Sequence, residues 1–337
     1  MELRVVCRNI DGRDYMDDRI GSSWMDVRVQ AIRLEAPAVR SLELRRLDGR
    51  SLPAFTAGAH LDVQLPDAAE RSYSLLNDPA ETDRYVIAVK REVASRGGSA
   101  FMCDSVRVGD ALRIRLPANR FMLDENAASS VFIAGGIGIT PLLSMIRRLE
   151  SLKRQWMLFY SCSSHETAPF LDTLQALQSE SGRVVIRIGA DRDVPRFDLA
   201  KIVASQAPGA HFYCCGPITM LQAFEVATGS VEPSHVHLEY FTSDKATATG
   251  GFEVVLARSG RVVRIPESQT ILETLLAEGM SLPRSCMEGV CGTCETVVLE
   301  GVPDHRDHVL SAREKRSNRK MIICRSGCIG DRLVLDL

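Results

Sequence analysis

Four cysteines near the carboxyl end carry the most specific chemistry in this chain. Cys286, Cys291 and Cys294 form C-x4-C-x2-C, and Cys324 follows after a long interval. That is the spacing of plant-type [2Fe–2S] ligation, in which two sulfide-bridged irons need four thiolates from one loop and one distant strand. Gly289 and Gly292 let the loop wrap closely, so that backbone N–H groups can point at cluster sulfurs. Zinc is the alternative, but of the paired knuckles it favours only Cys291 and Cys294 form one. Cys328 competes with Cys324 for the fourth position. Cys324 is preferred because it ends the apolar run Met321-Ile322-Ile323. The remaining six of the ten cysteines include Cys7, Cys103 and Cys162, expected to behave as small apolar residues.

Two glycine-bearing turns form a second candidate site. Gly135-Gly136-Ile137-Gly138 follows the short apolar run 131–134 and precedes Thr140-Pro141, which predicts a helix with Thr140 at its N-cap and Pro141 at its first position. A strand, a close backbone turn and a helix N-terminus suit a dinucleotide pyrophosphate. The glycines match neither the G-x-G-x-x-G fingerprint nor a P-loop. Cys214-Cys215-Gly216-Pro217 predicts another strand-to-helix turn on the same sheet edge. Either could instead be a plain tight turn. A third constellation is Arg71-Ser72-Tyr73-Ser74, with Ala88-Val89-Lys90 and Gly97-Gly98-Ser99 following. Two cations and a Gly-Gly-Ser helix start would suit a phosphate. Tyr73 offers a ring for a flat cofactor, and Ser74 a hydroxyl for its polar edge.

These residues need three kinds of scaffold. Residues 25–124 read as six strands without long helices, at 27–33, 40–47, 60–65, 71–76, 84–91 and 111–116, with a helix near 99–106; this predicts an antiparallel barrel. Residues 125–241 alternate strands with helices, which predicts a parallel α/β sheet covered on both faces. Residues 242–251 read as a linker, and 252–337 as strands plus a helix from about 270, with Thr270 and Glu273 as its capping box and Gly279 as its stop. Residues 1–24 match none of these patterns and stay unassigned. With 337 residues, a net charge of −2, 45% hydrophobic residues and no long apolar stretch, the composition favours neither nucleic acid nor membrane as partner. No signal peptide is expected from a start bearing Asp11, Asp14, Asp17 and Asp18, so a cytoplasmic protein is the expectation.

Taken together, RSYS at 71–74, AVK at 88–90, GGS at 97–99, GGIGITP at 135–141, CGP at 215–217 and the four cysteines resemble the phthalate dioxygenase reductase family, over about residues 25–337. The resemblance implies a flavin barrel, a nicotinamide domain and a C-terminal β-grasp-like plant-type ferredoxin domain, in that order. It implies FMN rather than FAD. Arg71 and Ser72 would hold the FMN phosphate region, with Tyr73 and Ser74 against the isoalloxazine. Ala88, Val89, Lys90, Gly97, Gly98 and Ser99 would complete the cradle, and Thr140 and Phe241 would cap it. Cys215 would sit near the nicotinamide, and Glu239 could support hydride-transfer geometry. Many relatives carry an Arg after the second strand of the nicotinamide domain, whereas here the stretch is Ser163-Ser164-His165. NADH is therefore expected over NADPH, with Arg192 as the other cation that could meet a 2′-phosphate.

The expected activity follows from the redox chain: an NADH-dependent reductase passing electrons through FMN and [2Fe–2S] to a separate Rieske-type terminal oxygenase, such as an aromatic-ring hydroxylase or O-demethylase. A free-standing flavin, ferric or quinone reductase is the competing enzyme reading. A redox sensor is the third, and the short mixed run from Arg313 to Lys320 offers it no DNA-binding pattern.

Overall fold

The computed structural model describes residues 6–8, 14–16, 24–67, 69–93, 97–189, 197–243 and 245–337. Two short strands, β1 (Val6–Arg8) and β2 (Asp14–Met16), pair antiparallel within the segment that matched no sequence pattern.

Six strands follow: β3 (Trp24–Ala36), β4 (Val39–Arg46), β5 (His60–Gln64), β6 (Glu70–Ser74), β7 (Tyr85–Lys90) and β8 (Ala111–Arg115). They form one antiparallel sheet in the order β6-β5-β8-β3-β4-β7. An isolated bridge between Leu75 and Ile87 joins its two ends and closes it into a barrel. Period-two patterning explains the interior: Val27 and Val29 on β3, Leu42 and Leu44 on β4, and Leu61 and Val63 on β5 fill one buried cluster. On β5 the other face is polar, with His60 and Asp62 both buried. The helix expected near 99–106 is a single α-turn, α1 (Gly98–Ala100), running into a π-turn at Phe101–Ser105 that buries Met102 and Cys103.

The second sheet is wholly parallel: β9 (Ser129–Gly135), β10 (Trp156–Cys162), β11 (Val184–Ile188), β12 (Ala210–Cys215) and β13 (Val236–Glu239). Helices α2 (Ile139–Ser151), α3 (Leu171–Ser181), α4 (Leu199–Ala204) and α5 (Ile218–Ala227) alternate with them. Separate apolar clusters lie on its two faces, Phe132 and Tyr160 in one, Ile133 and Phe212 in the other. The spatial order is β11-β10-β9-β12-β13. The chain thus winds outward from β9, crosses back, and continues from β12 on the other side. The β9/β12 gap is the topological switch point, where ligands of such sheets bind.

The third sheet is mixed: β14 (Glu253–Leu256), β15 (Arg261–Arg264), β16 (Glu295–Asp304), β17 (Lys320–Ile322) and β18 (Gly327–Leu335), ordered β15-β14-β18-β16-β17. Helix α6 (Ile271–Ala277) packs Leu272 and Leu275 into its core. It carries the expected capping box: Glu273 N donates to Thr270 Oγ1 at 3.1 Å, and Thr270 N to Glu273 Oε2 at 2.9 Å. A second box, Ser311 with Glu314, opens α7 (Ala312–Ser317). Residues 242–251 contain neither helix nor strand among those described, yet they are tied down. Ala248 is buried and donates its N–H to Arg325 O, and Arg325 Nη1 donates to Thr247 Oγ1 at 2.6 Å. No helix among the described residues is long and apolar enough to cross a membrane.

Candidate functional site

At the switch point the strand register brings Ala134, Cys215 and Glu239 level on β9, β12 and β13. The two glycine turns meet directly behind them. A Cβ on Gly138 would lie 2.3 Å from Cys215 O, one on Gly135 2.4 Å from Pro217 Cδ, and one on Gly216 3.0 Å from Gly135 Cα. These three glycines are therefore required by turn-on-turn packing. Gly136 is different: its φ is +53°, and only Cys162 Sγ, at 3.9 Å, is near its missing side chain. Its bare backbone faces open space at the start of α2, where a pyrophosphate could approach.

Thr140 is not the N-cap that its sequence position suggests. A 3-10 turn at Gly136–Gly138 precedes the helix and moves the cap to Gly138. Thr140 sits inside the first turn, buried, with Oγ1 donating to Ile137 O at 3.0 Å.

One cavity of about 770 Å³ lies between the three sheets, within the range of cofactor sites. The barrel lines it with Arg71, Ser72, Tyr73, Ser74, Ala88, Val89, Lys90, Gly98 and Ser99. The parallel-sheet unit adds Thr140, Glu239 and Phe241, and the cysteine loop adds Cys286 and Cys291. Gly97, Gly135, Gly136, Gly138 and Cys215-Gly216-Pro217 stand outside that lining, whereas Ile137 of the first glycine turn belongs to it. Arg71 folds against Gly98, where a Cβ would come within 2.8 Å of its Cγ, so glycine there leaves room for the guanidinium. Ser99 Oγ accepts from Glu92 N, and Lys90 pairs with Glu92 at 3.0 Å.

Ser72 departs from its expected role as a phosphate contact. Its hydroxyl donates to Asp62 Oδ1 at 2.6 Å and lies 2.9 Å from Ser285 Oγ. A carboxylate partner makes that spot unsuitable for an anion.

Cys215 is fully buried, and burial with the neighbouring Glu239 pushes its thiol well above the ordinary range. Burial also pushes Glu239 up to about 8, against the opposing hydrogen bond with Cys215. The residue keeps some solvent contact at its other atoms, but Oε2 is enclosed and has no hydrogen-bond partner among the described residues. A neutral carboxyl with an orphaned oxygen in a cofactor-sized cavity fits a polar ligand edge arriving beside it.

The cysteine loop turns through positive φ at Met287 (58°), Gly289 (71°) and Gly292 (66°). That curl aims N–H groups at sulfur: Glu288 N donates to Cys286 Sγ at 3.3 Å, and Cys286 N to Cys291 Sγ at 3.5 Å. The thiols form two hydrogen-bonded pairs, Cys286 with Cys291 and Cys294 with Cys324. The hydrogen bond between Cys286 and Cys291 lowers the pKa of Cys291 and raises that of Cys286. No three His, Cys, Asp or Glu side chains among the described residues gather around a point that could hold a single ion. Two pairs instead match two irons with two thiolates each. Cys328 lies on β18, its thiol donating to Arg332 O.

Beyond β10, Ser163 Oγ and Ser164 Oγ each lie 3.1 Å from Thr167 Oγ1, and Cys162 Sγ lies 3.2 Å from it. These hydroxyls suit a ribose better than a phosphate. Arg192 lies outside the described residues. The sequence reading missed His60, Asp62, Arg120 and Ser285. The signal for the first two was available: His60, Asp62 and Gln64 make one face of β5 polar, opposite an apolar face of Leu61 and Val63.

Comparisons with known proteins agree with this geometry. Residues 254–328 match the model of the 2Fe-2S iron-sulfur cluster binding domain, and residues 132–225 that of the oxidoreductase NAD-binding domain. The chain is 52% identical over 314 residues to phenoxybenzoate dioxygenase subunit beta of Ectopseudomonas oleovorans, covering 93% of this chain and 97% of the relative. It is 47% identical over 322 residues to tetrachlorobenzoquinone reductase of Sphingobium chlorophenolicum, covering 94% and 98%. The solved structure of phthalate dioxygenase reductase, described as modular for electron transfer from pyridine nucleotides to [2Fe–2S], superposes with a TM-score of 0.74 at 37% identity, covering 94% and 98%.

Two outcomes follow from the geometry. Cys324→Ser should strip most of the iron and the visible cluster absorption, whereas Cys328→Ser should keep both; iron assay and absorption spectra of the purified variants decide it. The second concerns Glu239, which holds its proton when folded up to about pH 8 but loses it near 4.5 when unfolded. The folded chain binds the extra proton across that window, so stability present below it is lost as pH rises through it. Relative to Glu239→Gln, the native protein's Tm should fall steadily between about pH 5 and about pH 8.5. His237, held down to about 4 by burial, works in the opposite sense below its ordinary 6.5, and cancels in the comparison. A constant Tm difference would refute the assignment.

Proposed function

This chain belongs to the phthalate dioxygenase reductase family, and from that membership we propose that it is the NADH-dependent reductase component of a two-protein oxygenase system. Its partner would be a separate Rieske-type terminal oxygenase acting on an aromatic substrate. The observation that carries this reading is a cavity lined jointly by the barrel, the parallel sheet and the cysteine loop. A protein with no need to join three redox sites has no use for that convergence.

FMN, when bound, takes two electrons as a hydride and releases them singly, and a [2Fe–2S] cluster carries one at a time. The residues of this chain do the rest by placement. Arg71, Lys90 and Ser99 would hold the phosphate of FMN, and Tyr73 and Val89 would bracket its ring. Thr140 and Phe241 would cover it from the parallel-sheet side, and Ser74 and Glu239 would face its polar edge. Gly136 and the N-terminus of α2 would take the pyrophosphate of NADH, leaving the nicotinamide between Cys215 and the flavin. Burial holds both Cys215 and Glu239 towards their uncharged forms. Cys286, Cys291, Cys294 and Cys324 would hold the cluster, Cys286 and Cys291 on the flavin side. Thiolate ligands and a nicotinamide donor both suit a reducing cytoplasm, where we place the protein.

A quinone reductase is the second reading, favoured by the 47% identity to a relative of that name. Steady-state turnover separates the two. An oxygenase reductase should couple NADH consumption to product only when its oxygenase is added; a kcat/KM for a soluble quinone far above that for the oxygenase would support the second.

Nicotinamide choice is the sharper test of the site. Ser163→Arg would place a guanidinium beside the Thr167 hydroxyl, and a charged bidentate contact is worth about 1.5–3 kcal/mol, or roughly ten- to a hundredfold. Stopped-flow flavin reduction should show kcat/KM for NADPH rising by that range, with flavin and iron content unchanged. Equal use of NADPH by the native protein would defeat the assignment.

A further inference from the structure

The residue before the first cluster cysteine is held by the flavin barrel. Ser285, 3% exposed, has its hydroxyl 2.8 Å from Asp62 Oδ1 on β5 and 2.9 Å from Ser72 Oγ on β6. Ser72 in turn lies 2.6 Å from the same Asp62 oxygen. Asp62 and Ser72 are direct cross-strand partners, so they share one face of the barrel. Ser74 and His60, the next pair along that face, line the cavity. The three-residue cluster therefore sits between the flavin cradle and Cys286.

Hydrogen-bond accounting assigns the roles. Each hydroxyl has one proton, and three short O···O contacts compete for the two. Asp62 can only accept when ionised, so it takes both, and the Ser72–Ser285 contact carries none. A buried carboxylate 7% exposed would otherwise be costly. It is retained where it can hold a strand of its own barrel and a loop more than two hundred residues away at once.

We propose that Asp62 is a positioning residue for internal electron transfer: through Ser285 it fixes Cys286, and with it the cluster loop, against the flavin cradle. The proposal rests on the flavin and cluster assignment above. The step served moves one electron from reduced flavin to one ferric iron; no bond forms or breaks, and both hydroxyl protons stay in place. A cluster loop free to drift would keep its cluster but lose its distance from the flavin. Electron transfer falls off exponentially with the gap between the two centres, so a loop that drifts away slows it severalfold per ångström.

Other contacts hold the loop's unit in place when this one is removed. Tyr240 and His308 stack at 4.0 Å and 17°, and Lys245 Nζ donates to Asp307 O at 2.8 Å. Variants at Asp62 and Ser285 should therefore fold.

The test uses the holoprotein with Asp62→Leu, Ser285→Ala and the double variant, and Ser285→Thr as the hydroxyl-retaining control. Stopped-flow should show flavin reduction by NADH unchanged, with the following flavin-to-cluster phase slowed at least severalfold in both single variants. The double variant should be no slower than either single one, and Ser285→Thr should restore the rate. Hydrogen exchange, independent of turnover, should rise both at β5–β6 and at 285–292. Exchange rising in β5–β6 alone, or an unaltered second phase, would overturn the proposal by making Asp62 a barrel residue only. Loss of flavin or iron from the variants would also overturn it, as retention rather than positioning. A native protein lacking either phase would instead refute the cofactor assignment itself.

Discussion

The level placement of Ala134, Cys215 and Glu239 at the carboxyl edge of the parallel sheet is the constraint around which the rest is arranged. It exists because two strand-to-helix turns approach closely enough that Gly135, Gly138 and Gly216 admit no side chain. A methyl group on any of them would push β9 and β12 apart at their ends. The switch-point crevice would then widen where a nicotinamide has to lie flat. Cys215 and Glu239 could not remain paired, and the Glu239 carboxyl would gain water and its charge.

The fold was legible where a period was strong. Six alternating runs gave the barrel and strand–helix alternation gave the parallel sheet, because burial on one face or two imprints period two or a continuous apolar run. The cysteine pattern was legible because ligation needs specific atoms at specific spacings. What escaped depended on partners far away in the chain. Ser72 reads as a phosphate donor until Ser285 stands beside it. Asp62 belongs to no motif. Thr140 followed the N-cap rule, but the 3-10 turn before it had already used the preceding residues. The 242–251 segment looks unburiable by composition, yet Ala248 is enclosed because Gly327 leaves the space its own Cβ would occupy, 2.7 Å from that of Ala248.

Polar contacts join the three units, together with an apolar patch between the barrel and the parallel-sheet unit. Arg147 on α2 donates to Leu76 O of the barrel. Tyr240 stacks on His308, and Arg325 reaches Thr247 and Lys245 O. Interfaces of this kind resemble transient ones, and they specify orientation more than they add stability. One apolar cluster crosses from the barrel to the parallel-sheet unit, where Val39, Leu76, Val86 and Phe121 pack with Ile139, Leu142, Met145 and Tyr213, whereas the third sheet keeps a cluster of its own.

The polar junction of the third sheet has a functional logic. An apolar interface tolerates sliding, because its free energy depends on area and little on registry. A hydrogen bond weakens steeply with distance and angle, so a few buried ones define a single docked arrangement. Electron transfer between two held groups demands such an arrangement, whereas a protein that only binds its ligands does not. Asp62, Ser72 and Ser285 meet the need with one carboxylate and two hydroxyls, where the cysteine loop meets the flavin-cradle face of the barrel. Buried polarity at that junction is thus explained by geometry: an apolar trio of similar size would fill the space equally well and leave the cluster loop without a fixed position.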